Sequence, residues 1–378
     1  MIKTIRPSLL FFYLAYTFIL LQAMFNNVPS LTSLYGIIDK LVIVLIFLTI
    51  LFQNQIYRIK EIAWVVIIFA IVVISYFLSK DNIILKAIML IIASKDINFK
   101  KFIKFDLVIK VIFCFIIIIF SQIGIAENYV ILRADGTIRQ SLGFSHPNAL
   151  AAYWLSICCD YIYLAFNKNK IIKLFICTII TFIIGYITDS RTVIICVSLM
   201  IILLLYNNYL NNKIIKKIVI FLPYLLFALS LSSAYLYKSS DLIKNIDRSL
   251  SKRIYYTEQY LQKYDINLFG QKIETVSTVQ SRLLSISPQI LDNSYIVLLL
   301  KFGIILLFCS CLLLSLRLKL SYRERDKLLI IILIIFMIVG LFENWLIKIN
   351  YNPFILSFSS LIYRERKKID SIKFGIKK

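Results

Sequence analysis

The chain has one histidine, His146, among 378 residues. Its seven cysteines form no Cys-x-x-Cys pair, so neither a zinc site nor a loop disulfide framework is recognisable, and their expected role is helix packing. No metal or other cofactor is expected. No polar stretch is long enough to form a separate soluble domain, and no small-residue cleavage site follows the apolar N-terminal stretch, which is expected to stay as a signal anchor. Acidic residues are scarce, 20 against 43 lysines and arginines.

What fills the chain instead is apolar: 60% of residues are hydrophobic and the mean hydropathy is +0.84. That exceeds the roughly 45–50% of soluble domains and implies an integral membrane protein. Apolar runs predict spans near 8–25, 34–52, 62–78, 82–93, 105–124, 146–166, 171–187, 192–206, 218–237, 293–316, 328–342 and 353–363. The expected fold class is an all-α, multi-pass membrane protein of ten to twelve transmembrane helices forming one polytopic domain over 1–378. The count is a range because 82–93 and 353–363 are shorter than a bilayer requires.

Basic residues orient this scheme, because Lys and Arg collect in short cytoplasmic loops. With both termini inside, the inner segments hold 26 of them and the outer segments 13. Eight of those 13 lie in one long loop that the rule discounts. The net charge of +23 therefore reads as a topology device with anionic-lipid contact, not as nucleic-acid binding.

Two outer loops, about 125–145 and 238–292, are longer than connections in a compact bundle need to be. Both carry apolar and aromatic residues throughout. Leu250, Ile254, Thr257 and Leu261 predict an amphipathic helix over 248–264, which either lies on the membrane surface or caps a cavity. Arg133, Arg139, Arg191, Arg248, Arg253 and Arg282 lie on the outer side. A guanidinium grips phosphate oxygens through paired N–H bonds, though a solvated loop charge is the plainer reading of Arg248 and Arg282. Ser190 is placed to cap the helix that Arg191 begins, and Arg191 either snorkels or faces a ligand.

In "SLGFSHPNALAAYW", residues 141–154, Gly143 belongs to a turn, Pro147 suits a first helical turn, and His146 or Ser145 is the cap. In "ILDNSYIVLLLKFG", residues 290–303, Asp292 with Asn293 and Ser294 reads as a helix N-cap group, with the carboxylate favoured at the positive helix end. Lys301, two turns further in, is an intramembrane charge expected to face the bundle interior or a wet cavity. Lys40, Lys86 and Lys110 lie nearer span ends, from which a lysine can snorkel.

Taken in order, Arg133 to Gly143, the Gly-Phe-Ser-His-Pro-Asn entrance, Ser190-Arg191-Thr192, the second long loop, Asp292 to Tyr295, and Glu343-Asn344-Trp345 through Asn352-Pro353-Phe354 resemble the Wzy-type polysaccharide repeat-unit polymerases. These are relatives of the O-antigen ligases. The resemblance, over about 60–360, implies a metal-independent glycosyltransferase of the bacterial cytoplasmic membrane that joins undecaprenyl-diphosphate-linked oligosaccharides on its outer face. It implies a flippase and a chain-length regulator as neighbours. It further implies that Arg191 and Arg253 hold the lipid diphosphate, that Arg133 and Arg139 handle incoming sugar or phosphate, and that Asp292 is the catalytic base. Gly143, His146, Asn148, Asn293, Tyr295 and Lys301 complete the expected substrate-facing set.

The ligases usually carry His-Asn where this chain has Asp292-Asn293, which favours polymerase over ligase. A lipid-oligosaccharide flippase or other transporter is the alternative from another class. It would be marked by internal repeats or interrupted helices, and no convincing repeat is visible.

Overall fold

A computed structural model describes residues 6–53, 59–132, 136–166, 170–283 and 285–363. Arg133, the side chain of Arg282 and the basic C-terminal tail lie outside the described residues. The described chain is almost wholly helical. Five helices are long and apolar enough to cross a membrane: Pro7–Met24, Ile62–Ser79 (within Ile59–Ser79), Ile171–Thr188, Lys213–Tyr235 and Ile304–Glu324. Their outward faces are as apolar as their inward ones. Trp64, Ile171 and Tyr186 are 66%, 81% and 87% exposed, and helices hydrophobic all round belong in lipid or in a core.

Tyr35–Leu51, Phe99–Gln122 and Pro147–Ala165 accompany these five. The helix Lys327–Val339 sits at the centre, packed against Pro147–Ala165, Arg191–Leu205, Lys213–Tyr235 and Ile304–Glu324. Each of its residues from Leu329 to Met337 is buried. That burial explains an unbroken Leu/Ile/Phe run with no polar face.

The run 353–363, already too short in sequence to cross a bilayer, is a tight helical turn, Pro353–Phe358, followed by Ser359–Ile362. Other elements depart from the sequence expectation. The run 293–316 is not one helix. A short segment, Ser294–Val297, widens over Leu298–Phe302 and stops at Gly303, whose φ of +97° suits glycine, before Ile304–Glu324 resumes. A Cβ on Gly303 would lie 2.3 Å from the Leu268 carbonyl oxygen. The second loop docks at this break: Ile304 N–H donates to the Asn267 carbonyl at 3.0 Å and Gln271 N–H to the Lys301 carbonyl at 3.1 Å. Backbone groups freed by the break thus regain partners, as burial requires.

The helix expected over 248–264 is two helices, Asp241–Ser249 and Arg253–Lys263. Ser251 and Lys252 adopt positive φ between them, and the Asp247 carboxylate accepts from Ile254 and Tyr255 N–H at 2.7 and 3.1 Å. A cap reaching back from the preceding helix is invisible to apolar periodicity. Lys110 does not snorkel either. It is fully buried, with Asp106 at 2.6 Å, the Ser156 hydroxyl at 2.7 Å and Asp160 at 3.9 Å, while Tyr16 donates to Asp106 at 2.7 Å. Lys86 pairs with Asp39, and Lys40 is exposed.

Candidate functional site

The first long loop folds back as a small antiparallel hairpin, Val130–Leu132 with Ile138–Gln140, in which Arg139 pairs with Ile131. Alternation turns Arg139 inward, where it is only 7% exposed. Its Nε donates to the Thr188 carbonyl at 2.7 Å, and its guanidinium also bonds the Asn148 side-chain oxygen. The loop then turns at Gly143, φ +89°, where a Cβ would stand 2.8 Å from the Ile117 carbonyl oxygen. Only glycine fits that approach.

His146 follows as the cap of the Pro147–Ala165 helix. Its Nδ1 accepts from Asn148 N–H at 3.0 Å, and its Nε2 lies 2.9 Å from the Thr278 hydroxyl. The lone imidazole therefore ties the first long loop to the second. One turn on, Asn148 Nδ2 donates to Glu343 Oε1 at 3.1 Å. Arg253, the first residue of its helix, donates to the same Oε1 at 2.5 Å. Its other terminal nitrogen stands 3.7 Å from Asp292.

Glu343 lies on the turn 340–352, after the central helix. This turn is held by Ser294, whose N–H donates to the Gly340 carbonyl and whose hydroxyl donates to the Glu343 carbonyl, at 2.8 and 2.6 Å. A chain of polar contacts thus runs from Arg139 through Asn148 and Glu343 to Arg253 and Asp292.

These residues wall a cavity of about 560 Å³, lined also by His146, Lys301, Lys348 and Asp81. Lys301 forms an ion pair with Asp81. Three apolar segments start or stop at this cavity: Ile83–Ala93 begins beside Asp81, Lys327–Val339 ends before Glu343, and Pro353–Phe358 begins after Tyr351. At about 1.5 Å per residue an eleven-residue helix covers roughly 16 Å, about half a hydrocarbon core. At its far end the Ile83 helix meets the C-terminal segment, where the Tyr363 hydroxyl donates to the Ile92 carbonyl at 3.2 Å.

Electrostatically the site is strained. Burial pushes the Glu343 carboxyl up to about 7, helped by Asp292 and opposed by the Arg253 guanidinium. Burial also lowers the Lys348 ammonium, opposed chiefly by Asp292 and Asp81. Asp292 is the more open carboxylate, its side chain one-third exposed.

The structure brings Arg139, His146, Asn148, Arg253, Asp292 and Lys301 together around one cavity. Gly143, Asn293 and Tyr295, expected to face substrate, are not among the described residues that line it. Asn293, not Asp292, caps Ser294–Val297, and its amide donates to the Ser230 hydroxyl and the Leu341 carbonyl. Tyr295 is fully buried and donates to the Met337 carbonyl at 3.0 Å. Arg191 stands outside the cavity, half-exposed, 3.9 Å from Asp189. Ser190 occupies the cap position before it without a side-chain cap bond.

Glu343, Lys348 and Asp81 were not among the residues singled out from sequence as candidates. Their signal was position: charges stranded between apolar runs, in Lys-Asp-Asn at 80–82 and Glu-Asn-Trp-Leu-Ile-Lys at 343–348. Among the described residues no group of three His, Cys, Asp or Glu side chains is placed to hold a metal ion. No family model, characterised protein or solved structure matches the chain.

Proposed function

We propose that this protein is a polysaccharide repeat-unit polymerase of the bacterial cytoplasmic membrane, multi-pass, with both termini inside and the cavity open to the outer face. The observation that carries the reading is the convergence of Arg139, His146, Asn148, Arg253 and Asp292, from two separate loops, on one cavity. A further support is that Asp81, Arg139, Arg253, Asp292 and Glu343 all lie at segment ends that a twelve-crossing scheme with inside termini puts on one side.

In the proposed reaction the acceptor sugar hydroxyl attacks C1 of a sugar linked to undecaprenyl diphosphate. Asp292 takes the hydroxyl proton as general base. The new glycosidic bond forms as the bond from C1 to the diphosphate oxygen breaks, and the diphosphate leaves with that electron pair and one more negative charge. Arg253 stabilises this charge, and a guanidinium already fixed by Glu343 does so with little reorganisation. A single displacement inverts the anomeric centre. Arg191 stands outside the cavity, so contact with the diphosphate falls on Arg253. A flippase and a chain-length regulator are the expected neighbours.

Deleting the gene should leave single repeat units at the cell surface, read by gel ladders. Long polymer that accumulates unattached would instead identify a ligase. Asp292→Asn should abolish the ladder at normal protein level, and an Asn variant with full polymer would remove Asp292 from the mechanism.

One observation favours the transporter alternative: the interrupted segment at Gly303, beside the charged Lys301. A transporter deletion would leave repeat units on the inner leaflet with none at the surface, so the same experiment separates the two.

A further inference from the structure

Among the described residues four cations line the cavity, and three of them are engaged. Arg139 bonds Thr188 and Asn148, Arg253 bonds Glu343 and faces Asp292, and Lys301 pairs with Asp81. The fourth is Lys348. Among the described residues no carboxylate forms an ion pair with its ammonium and no acceptor takes a hydrogen bond from it. Its backbone is fixed nonetheless: its N–H donates to the Trp345 carbonyl, and its carbonyl accepts from Tyr351 and Asn352 N–H at 3.0 and 2.8 Å. The Asn352 side chain closes the same turn by donating to the Leu346 carbonyl at 2.7 Å.

A second donor in this cavity is also unmet. The Arg253 Nη1 that faces Asp292 is buried without a hydrogen-bond acceptor. Set against the carboxylates of Asp81, Asp292 and Glu343, these four cations leave the described lining with an excess of one positive charge. Protonation of Glu343 raises the excess to two. A partly buried cation with no carboxylate in ion-pair range is incompletely compensated, and an anion that supplies its partner improves that balance. Two unmet cationic donors in one cavity suit a ligand with two anionic centres better than a single carboxylate.

We propose that Lys348 is the anion anchor of the cavity and, together with Arg253, takes a diphosphate. The anchor follows from the cavity's charge and geometry; that its diphosphate is lipid-linked rests on the polymerase reading. Lys348 is a binding residue, and no proton transfer is assigned to it.

The test is calorimetric titration of the purified full-length protein in detergent with sodium pyrophosphate, and separately with sodium glucuronate, at one ionic strength. Pyrophosphate should bind in preference to glucuronate. Lys348→Met should weaken pyrophosphate binding by about tenfold or more, whereas Lys348→Arg should stay within about threefold of the parent. Lys244→Met, outside the cavity, should leave binding unchanged. If Lys348→Met does not fold, Lys348→Gln removes the charge while keeping a polar end.

Pyrophosphate binding that is unaltered in a folded Lys348→Met or Lys348→Gln protein would overturn the anchor. So would a parent protein that binds neither pyrophosphate nor vesicles containing undecaprenyl diphosphate. Lys348-dependent binding of glucuronate without pyrophosphate would overturn the diphosphate. The polymerase reading fails separately. If deletion leaves the surface ladder intact while pyrophosphate binding depends on Lys348, the anchor stands without the polymerase. If the ladder is lost while binding ignores Lys348, only the anchor falls.

Discussion

Glu343 accepts from both Asn148 and Arg253 through one oxygen, and its carboxyl lies at about 7. A buried ion pair of this kind contributes little net stability, because desolvating two charges offsets most of their attraction. What it supplies is placement: Arg253 is held toward the cavity before any ligand arrives. The same carboxyl makes stability depend on pH. Its folded value lies above that of an unfolded glutamate, near 4.5, so between these two values the folded protein holds a proton that the unfolded chain has released. Stability from this group is therefore fully present below about pH 4.5 and is lost as pH rises from there through about 7, by on the order of a few kcal/mol. The unfolding temperature in detergent should fall as pH rises from about 4.5 to about 7 and level off above, and Glu343→Gln should flatten that fall. An equally steep fall in the Gln variant would place the titrating group elsewhere. His146 acts by capping and by bridging to Thr278. His146→Ala should cost about 1 kcal/mol of stability and, under the proposed polymerase function, reduce polymerisation without abolishing it. Complete loss in a folded protein would return the imidazole to the chemistry.

At the scale of elements, two interruptions shape the cavity. The break at Gly303 turns what reads as one span into two pieces, and the 267–271 loop fills the gap with backbone bonds. A Cβ on Gly303 or Gly270 would stand 2.3 or 2.2 Å from a carbonyl oxygen of the other segment. Gly303→Ala should therefore reduce the yield of folded protein sharply, with Gly270→Ala behaving alike, and both are read as monodisperse protein by size-exclusion chromatography. Gly36→Ala is the control, since its Cβ would meet nothing within 4 Å. Normal yield of the Gly303 variant would mean that the break relaxes easily. The second interruption, at Ser251 and Lys252, starts a fresh helix at Arg253 and aims its first residue at Glu343. A continuous helix over 248–264 would have carried Arg253 mid-surface instead.

For the whole molecule, the short segments around the cavity and the long helices around them form a recess inside an apolar belt. If the long second loop faces outward, Lys272→Cys should react with a membrane-impermeant maleimide on intact cells. Asn211→Cys, on the opposite connection, should react only after permeabilisation. Both positions are exposed, so accessibility reports sidedness directly. The reverse pattern would overturn the orientation. Labelling is best read against the parent chain, whose described cysteines are all free thiols, with Cys114 and Cys309 only half-buried.

Composition and run length alone determined the helical membrane class and most helix positions. The reason is that a lipid-facing helix must be apolar along its whole length, and that property is local. Turn chemistry was also legible, in Gly143, in Pro147 and in His146 as a cap, because each acts within a few residues. The partners of charges were not. Nothing near Lys110 along the chain announces Asp160, and nothing near Arg253 announces Glu343, ninety residues away. A charge between apolar runs reads the same whether it snorkels, pairs or lines a cavity, and only packing of distant segments separates these outcomes. Tertiary structure alone decided that Arg191 stands outside while Glu343 and Lys348 stand within. It also decided where the spans break, because a break is stable only where another segment satisfies the backbone it frees.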